Sequence, residues 1–92
     1  MARLVATFVE EVPPLLAILH AERDAPQAFW RTAHALNGTC RSVGASRMGE
    51  ICLQLERLGD AGDLSRATSL LTQLEEEFER VRHLLEAELS EG

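Results

Sequence analysis

The sequence predicts an all-α domain, an antiparallel up-down bundle of four helices, and three observations carry that expectation. Apolar residues recur at spacings of three and four through four separate segments, the period of a helix with one buried face. Short connections join the segments, which brings each helix back alongside the one before it. Aromatic residues make up only 4% of a chain that is 46% hydrophobic, so the core must be built of leucine, alanine and valine, a mixture suited to helix packing. The period-two alternation of a half-buried strand is absent beyond a few residues. Ninety-two residues suffice for one core and therefore one domain, 1–92, with no internal repeat.

The first helix is expected from about Ala2 to Glu22, with Leu4, Phe8, Val12, Leu15 and Leu19 inward. Pro13 and Pro14 interrupt it; a proline inside a helix removes a hydrogen bond and clashes with the preceding turn, so the helix should be kinked or broken there. His20 reads as a surface residue favoured by the helix dipole. Asp24 as N-cap, Pro26 in the first turn and Gln27 three residues on mark the second helix start. That helix runs to about Ser42 with Phe29, Ala33, Leu36, Cys40 and Val43 inward.

Val43-Gly44-Ala45 is a short turn into a third helix that carries Met48, Ile51, Cys52, Leu55 and Leu58 inward and ends at Gly59, a natural C-cap. Asp63 is expected to cap the last helix. Its inner stripe is Ala67, Leu71, Leu74, Phe78, Val81, Leu85 and Glu88, widened by Leu70 and Leu84. The acidic run Glu75, Glu76, Glu77 and Glu79 falls on the outer side, partly balanced by Arg80 and Arg82. His83, among these, reads as structural or solvent-facing.

A formal charge of -6 argues against nucleic acid, whose phosphates call for a basic surface. No apolar run is expected to reach membrane-spanning length, and Glu10 and Glu11 interrupt any signal-peptide pattern, which makes the cytoplasm the expected location. The charges are unevenly spread. Residues 25 to 49 hold Arg31, Arg41 and Arg47 and no acid, so this window is +3 and the remainder is -9, with six arginines against fifteen acids.

Within that window the second helix has two stripes. Trp30, His34, Asn37, Gly38 and Arg41 fall on a different stripe from the apolar one, so His34 points to water. Gly38 lies one turn after His34, where a glycine costs about 1 kcal/mol relative to alanine. The inner stripe continues past Gly38 in register, which argues against a helix end. A side chain at that position would lie over the imidazole, and glycine leaves the ring open to another protein.

Ala33-His34-Ala35-Leu36-Asn37-Gly38, followed by Val43-Gly44-Ala45, Met48, Cys52 and Leu55-Glu56, resembles the histidine-containing phosphotransfer (HPt) domain of multistep phosphorelays. The resemblance covers nearly the whole chain. It implies that His34 accepts a phosphoryl group on its distal ring nitrogen from an aspartyl phosphate of a response-regulator receiver domain and passes it to another. A hybrid sensor histidine kinase is the further implied partner, with Mg2+ and an acidic pocket supplied by the receiver and no cofactor on this chain. The locally positive window suits such a group. One residue departs from the family pattern: Asn37 stands where lysine is usual, so Arg31 and Arg41 are the candidates to supply charge. Trp30 either anchors the partner or tucks between the first two helices as extra core.

Other chemistries fit less well. A zinc set of His34, Cys40 and Cys52 is unfavourable because the cysteines lie on inner stripes and the histidine on an outer one. Phosphate-loop and serine-nucleophile motifs are absent, and no carboxylate stands near His34 in sequence, so a kinase or phosphatase activity of its own is not expected. The alternative to a carrier is a helical docking module that binds a receiver or kinase domain without being phosphorylated.

Overall fold

The computed structural model describes residues 2–91, so Met1 and Gly92, the ends of the expected domain, lie outside it. Four helices follow in order: α1 (Ala2–Ala21), α2 (Pro26–Ser42), α3 (Ser46–Ala61) and α4 (Ala67–Glu91). α1 and α3 each pack against both α2 and α4. The helices thereby close into a ring of sequential neighbours, an up-down bundle 44 Å long and 19 Å across. Its centre is built of Phe8, Leu19, Phe29, Leu36, Leu55 and Leu71, with the Phe8 and Phe78 rings 5.5 Å apart.

Several element ends differ from expectation. α1 runs unbroken through Pro13 and Pro14, so of the two outcomes expected there, a kink or a break, the break does not occur. Both prolines are exposed, so the carbonyls one turn earlier that lose a donor can take water instead. The buried stripe of α1 is Val5, Phe8, Val12, Leu16 and Leu19, while Leu4 is exposed. At 100° per residue this face is centred about 40° further round the helix than the expected one. Asp24 caps nothing with its side chain; the N-cap is Ala25, followed directly by Pro26. Asp63 accepts a hydrogen bond from the Ser65 amide at 3.1 Å in a turn ahead of α4, so it shapes the approach to the helix and not its first turn.

The α2 and α3 ends use one device. Ala45 N–H bonds to the Cys40 carbonyl and Gly44 N–H to that of Arg41; Asp63 and Gly62 repeat the pattern on Leu58 and Gly59. These are paired six-to-one and five-to-two closures around a left-handed residue, and Gly44 and Gly62 have φ of 73° and 72°. Gly62, not Gly59, therefore ends α3. Gly59 is inside the helix, where an added Cβ would lie 3.0 Å from the Pro26 carbonyl oxygen and 3.1 Å from Trp30 Cα. Glycine is what lets α2 and α3 approach this closely. Gly59→Ala should lower the melting temperature by several degrees, because overpacking against backbone costs about 1–3 kcal/mol and outweighs the roughly 1 kcal/mol of helix propensity gained; thermal unfolding followed by circular dichroism measures the sign.

Glu77 also departs from its expected place on the outer side. It follows Leu70 and Leu74 at helical spacing and is buried, where Arg80 bonds it from one turn on and Arg47 approaches to 3.6 Å from α3. Leu84, expected to widen the core stripe, is exposed. The hydrogen bond from Arg80 holds the Glu77 carboxyl below the usual carboxylate range, opposed by burial and helped by the charges of Arg80 and Arg47. A carboxyl depressed in the folded state contributes stability that is present at neutral pH and lost as pH falls below the ordinary glutamate value. Glu77→Gln should accordingly flatten the decline in stability on acidification, read from urea unfolding midpoints across that range.

By length and composition Arg3–Ala21 could cross a membrane, contrary to the expectation that no apolar run reaches that length. In the bundle, however, Phe8, Val12 and Leu19 of this helix sit fully in the core, and Glu10 and Glu11 project from its middle. One stripe of the run is core, and Leu4 and Ile18 of the same run are exposed.

Candidate functional site

α2 carries the site because its inner face fixes its rotation. Phe29, Ala33, Leu36 and Cys40 are fully buried, which turns His34 outward with 65% of its side chain exposed. Two contacts then set the direction of the ring. The Trp30 indole, one turn earlier, stacks on the imidazole with centroids 5.2 Å apart and planes within 5°, the parallel-displaced arrangement aromatic pairs favour. Glu56 of α3 places Oε1 3.0 Å from His34 Nδ1.

A carboxylate can only accept, so an attractive contact requires the proton on Nδ1. In the neutral ring this leaves the lone pair on Nε2, the nitrogen directed away from α3. The geometry thus presents one nucleophilic atom at the bundle surface. Beside it, a Cβ built on Gly38 would meet none of the described residues within 4 Å. α2 continues through Gly38 to Ser42, so the glycine opens a space and does not end the helix.

Glu56 enters the sequence reading only within the Leu55-Glu56 pair and with no role beside His34, since 22 positions separate the two. A signal was present: Glu56 continues the inner positions Cys52 and Gly59 of α3 at helical spacing, and a buried acid requires a partner. It is only 8% exposed. It also changes the local charge, because the acid-free window around His34 in sequence is not acid-free in space. Arg47, counted in that positive window, is taken up by Glu77.

Asn37 is corrected as well. Expected on the outer stripe, it is 4% exposed, and its Nδ2 donates to Glu56 Oε2 at 3.1 Å. It stands only about 40° round the helix from Ala33 at 100° per residue, close enough to the inner face for α3 to cover it. Arg31 and Arg41 are exposed. Among the described residues neither has an ion-pair partner. Arg41 borders a shallow hollow shared with Asn37, Gly49 and Leu53. Leu53, an exposed apolar side chain beside the site, was not singled out from the sequence.

Trp30 is 38% exposed and its backbone leans on Gly59 of α3, so it does not fill the space between α1 and α2. His20 contacts Glu75 at 3.3 Å, and His83 lies beside Arg82, both apart from His34. Cys40 and Cys52 are fully buried free thiols hydrogen-bonded to each other. That bond lowers the Cys40 pKa against the opposing effect of burial and raises that of Cys52, which burial and the charges of Cys40 and Glu56 push up further. They do not converge with the outward His34, and among the described residues no group of three or more His, Cys, Asp or Glu is placed to hold a metal.

A four-helix bundle presenting one oriented, solvent-facing histidine on its second helix defines a class, and comparison with known proteins agrees. The family model of the Hpt domain matches residues 3–84. The chain belongs to the Hpt family, the histidine phosphotransfer domains of two-component phosphorelays. It is similar to the crystal structure of histidine-containing phosphotransfer protein B (HptB) from Pseudomonas aeruginosa PAO1, with 35% identity and a TM-score of 0.91 over 97% of this chain and 79% of that one. No curated protein matches.

Proposed function

We propose that His34 is the phosphoryl acceptor of a cytoplasmic carrier that takes its phosphoryl group from one response-regulator receiver domain and gives it to another. The supporting observation is the His34–Glu56 hydrogen bond on an otherwise exposed ring. In acceptance, Nε2 attacks the phosphorus of the receiver's aspartyl phosphate. The N–P bond forms as the P–O bond to the aspartyl carboxyl breaks, and the aspartate leaves as its carboxylate. Nδ1 keeps its proton, and Glu56 offsets the positive charge that develops on the ring. Donation to the second receiver runs the same steps in reverse.

In this reading the chain contributes position and one nucleophile, and no kinase or phosphatase chemistry. Transfer of a phosphoryl group through a loose in-line transition state depends mainly on positioning and charge. Arg31 and Arg41 supply free positive charge on the approach, Trp30 offers an apolar contact beside the ring, and Gly38 leaves room for the incoming domain. The receiver brings the acidic pocket and the Mg2+, and a hybrid sensor histidine kinase is the upstream source.

The test is incubation with a receiver carrying labelled aspartyl phosphate. Acid-labile label approaching one per chain supports the carrier. Binding of the receiver without label on this chain would leave the non-phosphorylated docking module in its place.

A further inference from the structure

We infer that Asn37 is a positioning residue that acts on His34 through Glu56, fixing which ring nitrogen is the nucleophile. The inference rests on the reading that His34 takes the phosphoryl group. The two oxygens of the Glu56 carboxylate are divided between two partners: Oε1 faces His34 Nδ1 at 3.0 Å and Oε2 accepts from Asn37 Nδ2 at 3.1 Å. Among the described residues no arginine touches this buried carboxylate. A buried carboxylate without hydrogen bonds is costly, and its terminal torsion is soft and roughly two-fold. The amide is therefore what holds the carboxylate plane in the one orientation that meets Nδ1–H.

The chain also makes room for this amide. A Cβ built on Gly49 of α3 would lie 3.3 Å from Asn37 Oδ1, tighter than a comfortable carbon–oxygen contact, so glycine at this position lets the Asn37 side chain sit between the helices. The amide carbonyl then faces Gly49 and the amide nitrogen faces Glu56, the only assignment in which the carboxylate receives a proton. At 4% exposure Asn37 cannot also meet a phosphoryl oxygen brought to the outer side of His34. Where the family usually carries lysine, this chain has a residue that supplies direction and no charge.

With Asn37 removed, Glu56 can turn and the Nδ1–H tautomer loses its anchor, so part of the population carries its proton on Nε2 and has no lone pair there. The experiment compares Asn37→Leu with the same change in a Glu56→Ala background, reading the His34 tautomer from ring 15N shifts and acceptance from a receiver carrying aspartyl phosphate. In the otherwise unchanged chain the Nε2–H fraction should rise and acceptance should fall by about tenfold, the rate equivalent of roughly 1.4 kcal/mol. In the Glu56→Ala background the same substitution should change either reading by no more than about twofold, since residues acting in series are not additive. Asn37→Ser, which removes the reach without adding apolar bulk, is read in the same way should Asn37→Leu not fold.

Equal losses in both backgrounds would overturn the inference, because Asn37 would then act independently of Glu56. A fall in melting temperature with tautomer and rate unchanged would overturn it too, leaving a purely structural role. The tautomer is read on the unphosphorylated chain. If the wild type accepts no phosphate, the carrier reading fails while the tautomer comparison still decides what Asn37 does.

Discussion

Replacing His34 by glutamine should abolish phosphoryl acceptance and leave the fold nearly untouched, the largest effect expected from any single substitution in this chain. Acceptance needs a lone pair on an exposed nitrogen, and an amide nitrogen offers none. Stability should hardly change, because the side chain is largely solvent-facing and surface substitutions usually stay within about 0.5 kcal/mol. Glutamine is also the informative choice at this position: its amide can donate to Glu56, whereas His34→Ala would leave that buried carboxylate short of a partner at a cost of about 1–3 kcal/mol. Phosphate bound per chain and the melting temperature, measured together, separate the two consequences. His20→Gln and His83→Gln should accept normally, since neither ring lies with His34 and Glu56.

Gly38→Leu should slow acceptance by about a hundredfold, the scale on which small misplacements act in a positioned reaction, and yet stabilise the helix by roughly 1 kcal/mol. Both signs follow from one observation. None of the described residues stands within 4 Å of a Cβ at Gly38, so the fold tolerates a side chain there. On a helix that side chain leans toward the preceding turn and covers the His34 ring. Gly38→Ala and Gly38→Leu should both melt above the wild type, while the transfer rate falls from glycine to alanine to leucine. A wild-type rate in Gly38→Leu would remove the argument that glycine is present for access.

Four helices, their order and most of the core could be read from apolar spacing, because one inward stripe per helix is a strong and local signal. Where that reading erred, the cause was a contact between elements. Leu4 and Val5 are both apolar, and only the way α1 is seated in the bundle buries Val5 and leaves Leu4 exposed. Gly59 has the residue type of a helix end, but its real role, close approach to Trp30, exists only once α2 and α3 are side by side. Glu77 looked like one more surface acid until Arg47 of α3 was brought to it.

The site followed the same rule. His34 and Gly38 lie on one helix and their relation is legible as spacing. The residue that orients His34 comes from the next helix, and the charge of Glu56 reverses the impression of a purely positive neighbourhood. Asn37 sits on the boundary between the two faces of α2, where a difference of about 40° decides between solvent and burial; sequence periodicity does not resolve that. Leu53 carried no signal beyond being a leucine, and only its exposure beside Asn37 and Arg41 makes it notable.

The position of the phosphorus on the phosphorylated chain, read from phosphorus–nitrogen coupling in protein labelled with 15N at histidine, decides whether Nε2 of His34 is the accepting atom. One coupling to Nε2 of His34, with Nδ1 still protonated, is the predicted result. Coupling to Nδ1 of His34, or to a nitrogen of His20 or His83, would contradict the assignment of Glu56 as the group that orients the ring and leaves Nε2 free.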